Sequence, residues 1–173
     1  MHLDTGELGG GNMLDQHQET INFGCGDGGR SLAVVKAANF DFHRAPAVHY
    51  AIFGHNVQKD ASNSGFGELV GNDVVIGLGS WPDETGIPVG TVAEQTGLFL
   101  HEFGHNLGLE HGGFEALNYK PNYLSVMNYF FSKGLTGRLD YSRRQLPPLD
   151  ENALDETRGI QGDDDITLYF CEQ

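Results

Sequence analysis

The chain has 173 residues, 39% of them hydrophobic, with 25 glycines and 6 prolines, enough to bury one core without disulfides but rich in turns. Acidic residues outnumber basic ones 24 to 10, a formal charge of −14, which sets the chain against phosphate backbones and anionic bilayers alike. No apolar run approaches the ~20 residues that a membrane span needs.

Residues 5–31 are dense in Gly, Asp and Asn and read as an irregular loop. Leu32-Ala-Val-Val-Lys36 is a short apolar run that suits a strand or the start of a helix. His49-Tyr-Ala-Ile-Phe53, β-branched and aromatic ahead of Gly54, predicts a strand. Residues 57–66 return to loop composition. Val74-Val-Ile-Gly-Leu78 predicts a second strand, apolar on both faces and therefore interior to its sheet. Trp81 to Pro88 reads as a turn. A helix is predicted from Thr91, because Thr91 and Glu94 have the spacing of a capping box. Val92, Phe99, Leu100, Phe103 and Leu107 are its expected apolar face, and Gly108 can end it in a left-handed conformation. Beyond lie a loop, Ser125-Val-Met-Asn-Tyr129, and Pro148 to Glu156, which reads as a short acidic-capped helix.

The segment that carries chemistry is His101-Glu-Phe-Gly-His105-Asn-Leu-Gly108-Leu-Glu-His111. Residues four apart on a helix stand one turn above each other, so His101 and His105 can aim their nitrogens at one point. Gly108 lets the backbone reverse, and His111 can swing back as a third ligand. Glu102 sits beside such an ion, within reach of a water on it. Three neutral ligands with an open fourth position define a catalytic zinc site rather than a closed structural one. Zinc brings the pKa of a bound water to about 7, and Glu102 is placed to take its proton as general base and return it to a departing amine. Histidines on helices are usually surface or core residues. These five fixed positions, however, arise by chance in roughly one such chain per ten thousand. A purely structural zinc leaves Glu102 and the open position unexplained.

At these residues the sequence resembles the metzincin clan of zinc endopeptidases, in which the three-histidine helix is followed by a turn containing methionine. Here that turn is Ser125 to Tyr129, with Met127 sixteen residues past His111. The resemblance implies an apolar floor beneath the metal at Met127. It also implies a hydroxyl at Tyr129 of the kind serralysins and astacins place near zinc to stabilise the transition-state oxyanion. The helix is matrixin-like and the turn serralysin- or pappalysin-like, and Gly112 after the third histidine is usual in none of these families, so the resemblance is to the clan. It covers His101 to Tyr129 and implies an α+β, zincin-like catalytic domain with a twisted mixed sheet, a backing helix and an active-site helix. Residues 1–111 would form an upper subdomain. Residues 112–173 would form a small lower one carrying the Met-turn and a C-terminal helix. Ser64 to Val70 would be the edge strand above the cleft, with Asp73 to Gly79 as its neighbour; such an edge can bind an extended polypeptide by strand addition. Phe130, Phe131 and Leu135 would wall the pocket after the scissile bond.

His43, His49 and His55 recur every six residues, but about 20 Å separates the outer pair in an extended chain, so structural or surface roles are expected. Asp163 to Asp165 and the loop from Asp4 to Arg30 allow calcium without matching its spaced-ligand loop. Cys25 and Cys171 allow one disulfide or two free thiols. The opening Met1-His-Leu-Asp-Thr-Gly6 lacks the features of a secretory signal, so a mature or trimmed extracellular form is expected from the clan, the acidity and the cysteines. The expectation is thus a monomeric zinc endopeptidase without nucleic-acid or membrane partners. A zinc hydrolase of small peptides or amides and a non-catalytic zinc-stabilised binding module are its rivals.

Overall fold

The computed structural model describes residues 19–24, 30–58, 63–132, 139–143, 146, 148, 150, 152–155 and 157. Cys25, Cys171, Leu135, Asp163 to Asp165 and most of the loop from Asp4 to Arg30 lie outside them. The architecture is α+β, as expected. Among the described residues there are two three-stranded sheets, ordered β2-β1-β4 and β3-β6-β5. Their strands are β1 (Thr20–Asn22), β2 (Arg30–Ser31), β3 (Tyr50–Gly54), β4 (Asn56–Val57), β5 (Gly65–Gly67) and β6 (Asp73–Gly77). His55 alone separates β3 from β4, so one stretch of chain serves both sheets. The helices are α1 (Leu32–Asn39), α2 (Val92–Asn106) and the single turn α3 (Tyr129–Ser132). No helix among the described residues is long and apolar enough to cross a membrane.

Side-chain alternation assigns each sheet face. Val75 points with Ile52 into a core shared with α1, where Leu32 and Val35 meet Ile21 and Val57. Val74 and Ile76 point the other way, with Leu78, onto Leu98 and Phe99 of α2. β6 is therefore covered on both faces, which is why its sequence is apolar without alternation. It pairs in parallel with β3 and antiparallel with β5, leaving β5 at the sheet's edge. The expected placement of residues 64–70 and 73–79 holds at this level.

The helix ends follow local chemistry. Ser31 caps α1 by accepting the Val34 N–H at 3.3 Å. Thr91 and Glu94 form the capping box of α2, with the Glu94 carboxylate accepting from the Thr91 N–H at 2.8 Å. At its other end Gly108 takes φ 87°. The N–H groups of Gly108 and Leu109 bond to the carbonyls of His105 and Gly104, both at 2.9 Å, a Schellman reversal. Buried Asn106 ties this end to the sheet, donating to the carbonyls of Glu68 and Asp73 at 3.0 Å each.

Four expectations are corrected. Thr20–Asn22 is a parallel strand at the centre of its sheet, not loop. Its hydrogen-bonded partners β2 and β4 are nonlocal, and its Ile21 enters the core with Leu32, Val35, Ile52 and Val57. Val92 and Leu107 are 77% and 55% exposed, while Leu98 is the buried aliphatic residue of α2. The stripe that faces the sheet carries Leu98, Phe99, Glu102 and Asn106 rather than Val92 and Leu107. Phe131 packs with Leu124 and Leu146 in a small core and is no pocket wall. The described residues between 148 and 157 form turns rather than a helix. There Asp150 and Asp155 accept N–H groups two residues on, the local alternative that Asp offers the backbone.

Candidate metal and catalytic site

His101 and His105 stand one turn apart on α2, and the reversal at Gly108 returns the chain so that His111 faces them. One ring nitrogen from each of the three lies within 4.8 Å of the others, among the described residues the one such group that can hold a metal ion. The ring centroids are 5.0 to 5.2 Å apart.

Hydrogen bonds fix the tautomers of two of these rings. Nδ1 of His101 donates to the Val126 carbonyl at 2.9 Å, and Nδ1 of His105 to the Leu109 carbonyl at 2.7 Å. A carbonyl has no proton to give, so Nδ1 carries the hydrogen and Nε2 keeps its lone pair. That is the form a metal ligand needs, oriented from behind. Burial pushes His101 down to about 4, against the Val126 bond, with His105 and His111 adding to the push. Burial likewise lowers His105 and His111. All three rings are thus neutral donors near pH 7, a set that fits a divalent cation of borderline softness.

Glu102, the residue after His101 on α2, is 6% exposed. Burial pushes its carboxyl up to about 8, with a hydrogen bond from the Gly67 N–H pulling the other way. Strand β5 lies almost in contact with it. A Cβ at Gly65 would come within 2.4 Å of Glu102 Oε1, and one at Gly67 within 2.1 Å of the Glu102 carbonyl oxygen. Only glycine at both positions lets an edge strand lie this close to the carboxylate.

Met127 is 0% exposed. A Cβ on Gly104 would stand 2.2 Å from its sulfur, so the absent side chain of Gly104 houses the methionine beneath α2. The turn around Met127 is closed by the Asn128 N–H bonding to the Ser125 carbonyl at 3.0 Å and the Met127 N–H to Ser125 Oγ at 3.2 Å. Asn128 donates to the carbonyls of Lys120 and Tyr123 at 2.8 and 3.2 Å. Because Val126 in this turn accepts from His101, the turn and the first histidine are positioned together. The ring of Tyr129 lies 4.4 Å from that of His111 and 5.3 Å from that of His101. Its phenol is raised by burial, then by the charges of Glu102 and Tyr119.

The six residues singled out in the sequence (His101, Glu102, His105, His111, Met127 and Tyr129) therefore cluster at the C-terminal half of α2. Four others were not. Gly65 and Gly67 carried a signal, since glycines two apart in a strand share one face and mark a close approach. Gly104 and Asn118 carried none that a single sequence shows. The evenly spaced histidines have other duties: His43 lies exposed in a single 3-10 turn, and Nδ1 of His49 bonds to Asn106 Oδ1 at 3.0 Å. A cavity of about 660 Å³ opens behind the His111 loop, lined by Leu109, Phe114, Leu117, Tyr123 and Leu146; none of the three histidines lines it. No protein-family model, curated protein or solved structure matches the chain.

Proposed function

We propose that the chain is a zinc-dependent endopeptidase of the metzincin type, cutting internal bonds of extended polypeptides. The observation that carries this reading is the convergence of three neutral imidazoles beside a buried carboxylate held by an edge strand. Zinc suits three imidazole donors with a position left open. His101, His105 and His111 would hold it. When bound, a zinc ion there acidifies a water, polarises the scissile carbonyl and favours the ionised form of Glu102.

The chain's own residues do the rest. Glu102 takes a proton from the attacking water at its carboxylate and returns it to the amide nitrogen as the C–N bond breaks. The Gly67 N–H keeps that carboxylate from turning away. Tyr129 donates its phenolic hydrogen to the carbonyl oxygen as charge gathers there. The outer edge of β5 offers backbone groups to an extended substrate, which would add as a further strand. Support for the metzincin reading comes from Met127 seated under α2 and from the position of β5.

Chelation and reconstitution test this proposal. Purified protein should cleave unfolded casein, lose cleavage on chelation and regain it with one equivalent of zinc. If the reconstituted protein binds zinc but leaves casein and small amides alike intact, the site is structural and the proposal fails. Cleavage confined to dipeptides or amides would overturn the endopeptidase assignment alone.

A further inference from the structure

Tyr119 has a backbone conformation unusual for its residue type. It is 65% exposed, yet its backbone stands at φ 59°, the left-handed region. An L-residue with a large side chain is strained there by about 1–2 kcal/mol relative to glycine. No core is completed by the ring. Among the described residues its one aromatic neighbour is Tyr129, met edge to face with centroids 5.9 Å apart and planes at 82°. Tyr129 in turn lies against the rings of His111 and His101.

The backbone holds this pair in register. Oδ1 of Asn118 accepts the Tyr119 N–H at 2.8 Å and the Tyr129 N–H at 3.0 Å. One side-chain oxygen thus fixes both tyrosines at their main chains. On the next residue, the Lys120 carbonyl accepts from Asn128 and its ammonium donates to the Gly112 carbonyl at 3.2 Å. The segment carrying Tyr119 is therefore tied both to the methionine turn and to the residue after His111. Strain kept at an exposed position, over-determined by these ties, marks a side chain retained for what it touches.

We propose that Tyr119 is a positioning residue for Tyr129: its ring, presented by a strained backbone, holds the Tyr129 ring over the histidine cluster. This rests on the role proposed above for Tyr129. Without the Tyr119 ring, Tyr129 turns toward solvent and its hydroxyl reaches the reacting carbonyl less often.

A double-mutant cycle tests it. In zinc-loaded protein cutting a casein-derived peptide, Tyr119→Gly should lower kcat roughly tenfold, the scale of a misplaced catalytic group, and leave KM within twofold. Tyr119→Phe, which keeps the ring, should restore kcat. In a Tyr129→Phe background, Tyr119→Gly should have no further effect on kcat. In zinc-free protein, Tyr119→Gly should match or exceed the wild-type Tm because the strain is released, and Tyr119→Asn, tolerant of the same backbone, should serve if the glycine variant folds poorly. The inference is overturned if kcat is unchanged in Tyr119→Gly, if the loss persists at full size in Tyr129→Phe, or if KM alone rises. Loss of zinc or a fall in Tm would make Tyr119 structural instead. If wild-type protein shows no turnover, the peptidase reading fails by itself. The ring contact is then read from the Tyr119/Tyr129→Ala cycle in Tm, where zero coupling contradicts it.

Discussion

The upper part of the site and the lower part are held by different kinds of bond. Glu102, His101 and His105 stand on α2, whose place is set by helix and sheet hydrogen bonds and by Leu98 and Phe99 against Val74 and Ile76. The loop from Leu109 to Asn128, which brings in His111, Tyr119 and Met127, has no regular element. Beside short backbone turns, single side chains hold it: Asn118 on two backbone N–H groups, Asn128 on two carbonyls, Ser125 on the methionine turn. The first region distributes its stability over many weak contacts and the second concentrates it in a few polar ties. Substitutions above should therefore act through packing and burial, and those below through particular hydrogen bonds.

The largest effect on the fold comes from the group proposed as the general base. Glu102 is buried and its carboxyl is raised from 4.5 to about 8, so the folded state keeps a proton that the unfolded chain has already released. Stability then falls as pH rises from 4.5 to about 8, because over that window the folded state binds more protons. Glu102→Gln removes this dependence. Zinc-free Glu102→Gln should match wild type in urea unfolding below pH 4.5 and exceed it increasingly toward pH 8. A constant difference across that range would mean that the carboxyl is not the source.

Met127→Ala comes next. It empties a fully buried site under α2 and should cost about 2–5 kcal/mol in denaturant unfolding, whereas Met127→Leu should cost less than about 1.5 kcal/mol. In the lower loop, Asn128→Ala removes two hydrogen bonds to the partly buried carbonyls of Lys120 and Tyr123, each of which keeps one backbone donor. A loss of about 1–3 kcal/mol is expected, with a weakened zinc affinity as Val126 moves under His101. An unchanged affinity would separate the turn from the metal site. The smallest effect belongs to the far end of α2. Thr91→Ala removes a cap worth about 1 kcal/mol and should leave cleavage of casein unchanged, since the cap lies three turns from the histidines.

The contrast between the regions also governs what the sequence reveals. The capping box at Thr91 and Glu94 and the reversal at Gly108 were legible because each is fixed by residues a few positions apart. The strand at Val74 was legible because both its faces are apolar. His101, Glu102, His105 and His111 were legible because the helix dictates their spacing, and Met127 and Tyr129 because they follow at a recognisable distance. The strand at Ile21 was not, since its partners lie at Arg30 and Val57 and its own three residues carry no period. The buried face of α2 was misplaced for a related reason. Counting only apolar residues favours Val92 and Leu107, while the face that packs includes His101, Glu102 and Asn106. Asn118 and Tyr119 leave no trace in composition or periodicity, because a loop tie depends on where two distant backbone segments meet.

The central claim is that three histidines hold one zinc while Glu102 moves the proton, and one paired measurement reaches it directly. Zinc content and casein cleavage are determined on the same preparations of wild type and Glu102→Gln. One zinc per chain in both is expected, with cleavage in the variant reduced by roughly 10²–10⁴-fold, the range of a lost general base. Equal cleavage by both proteins, or zinc absent from the wild type, would contradict the account.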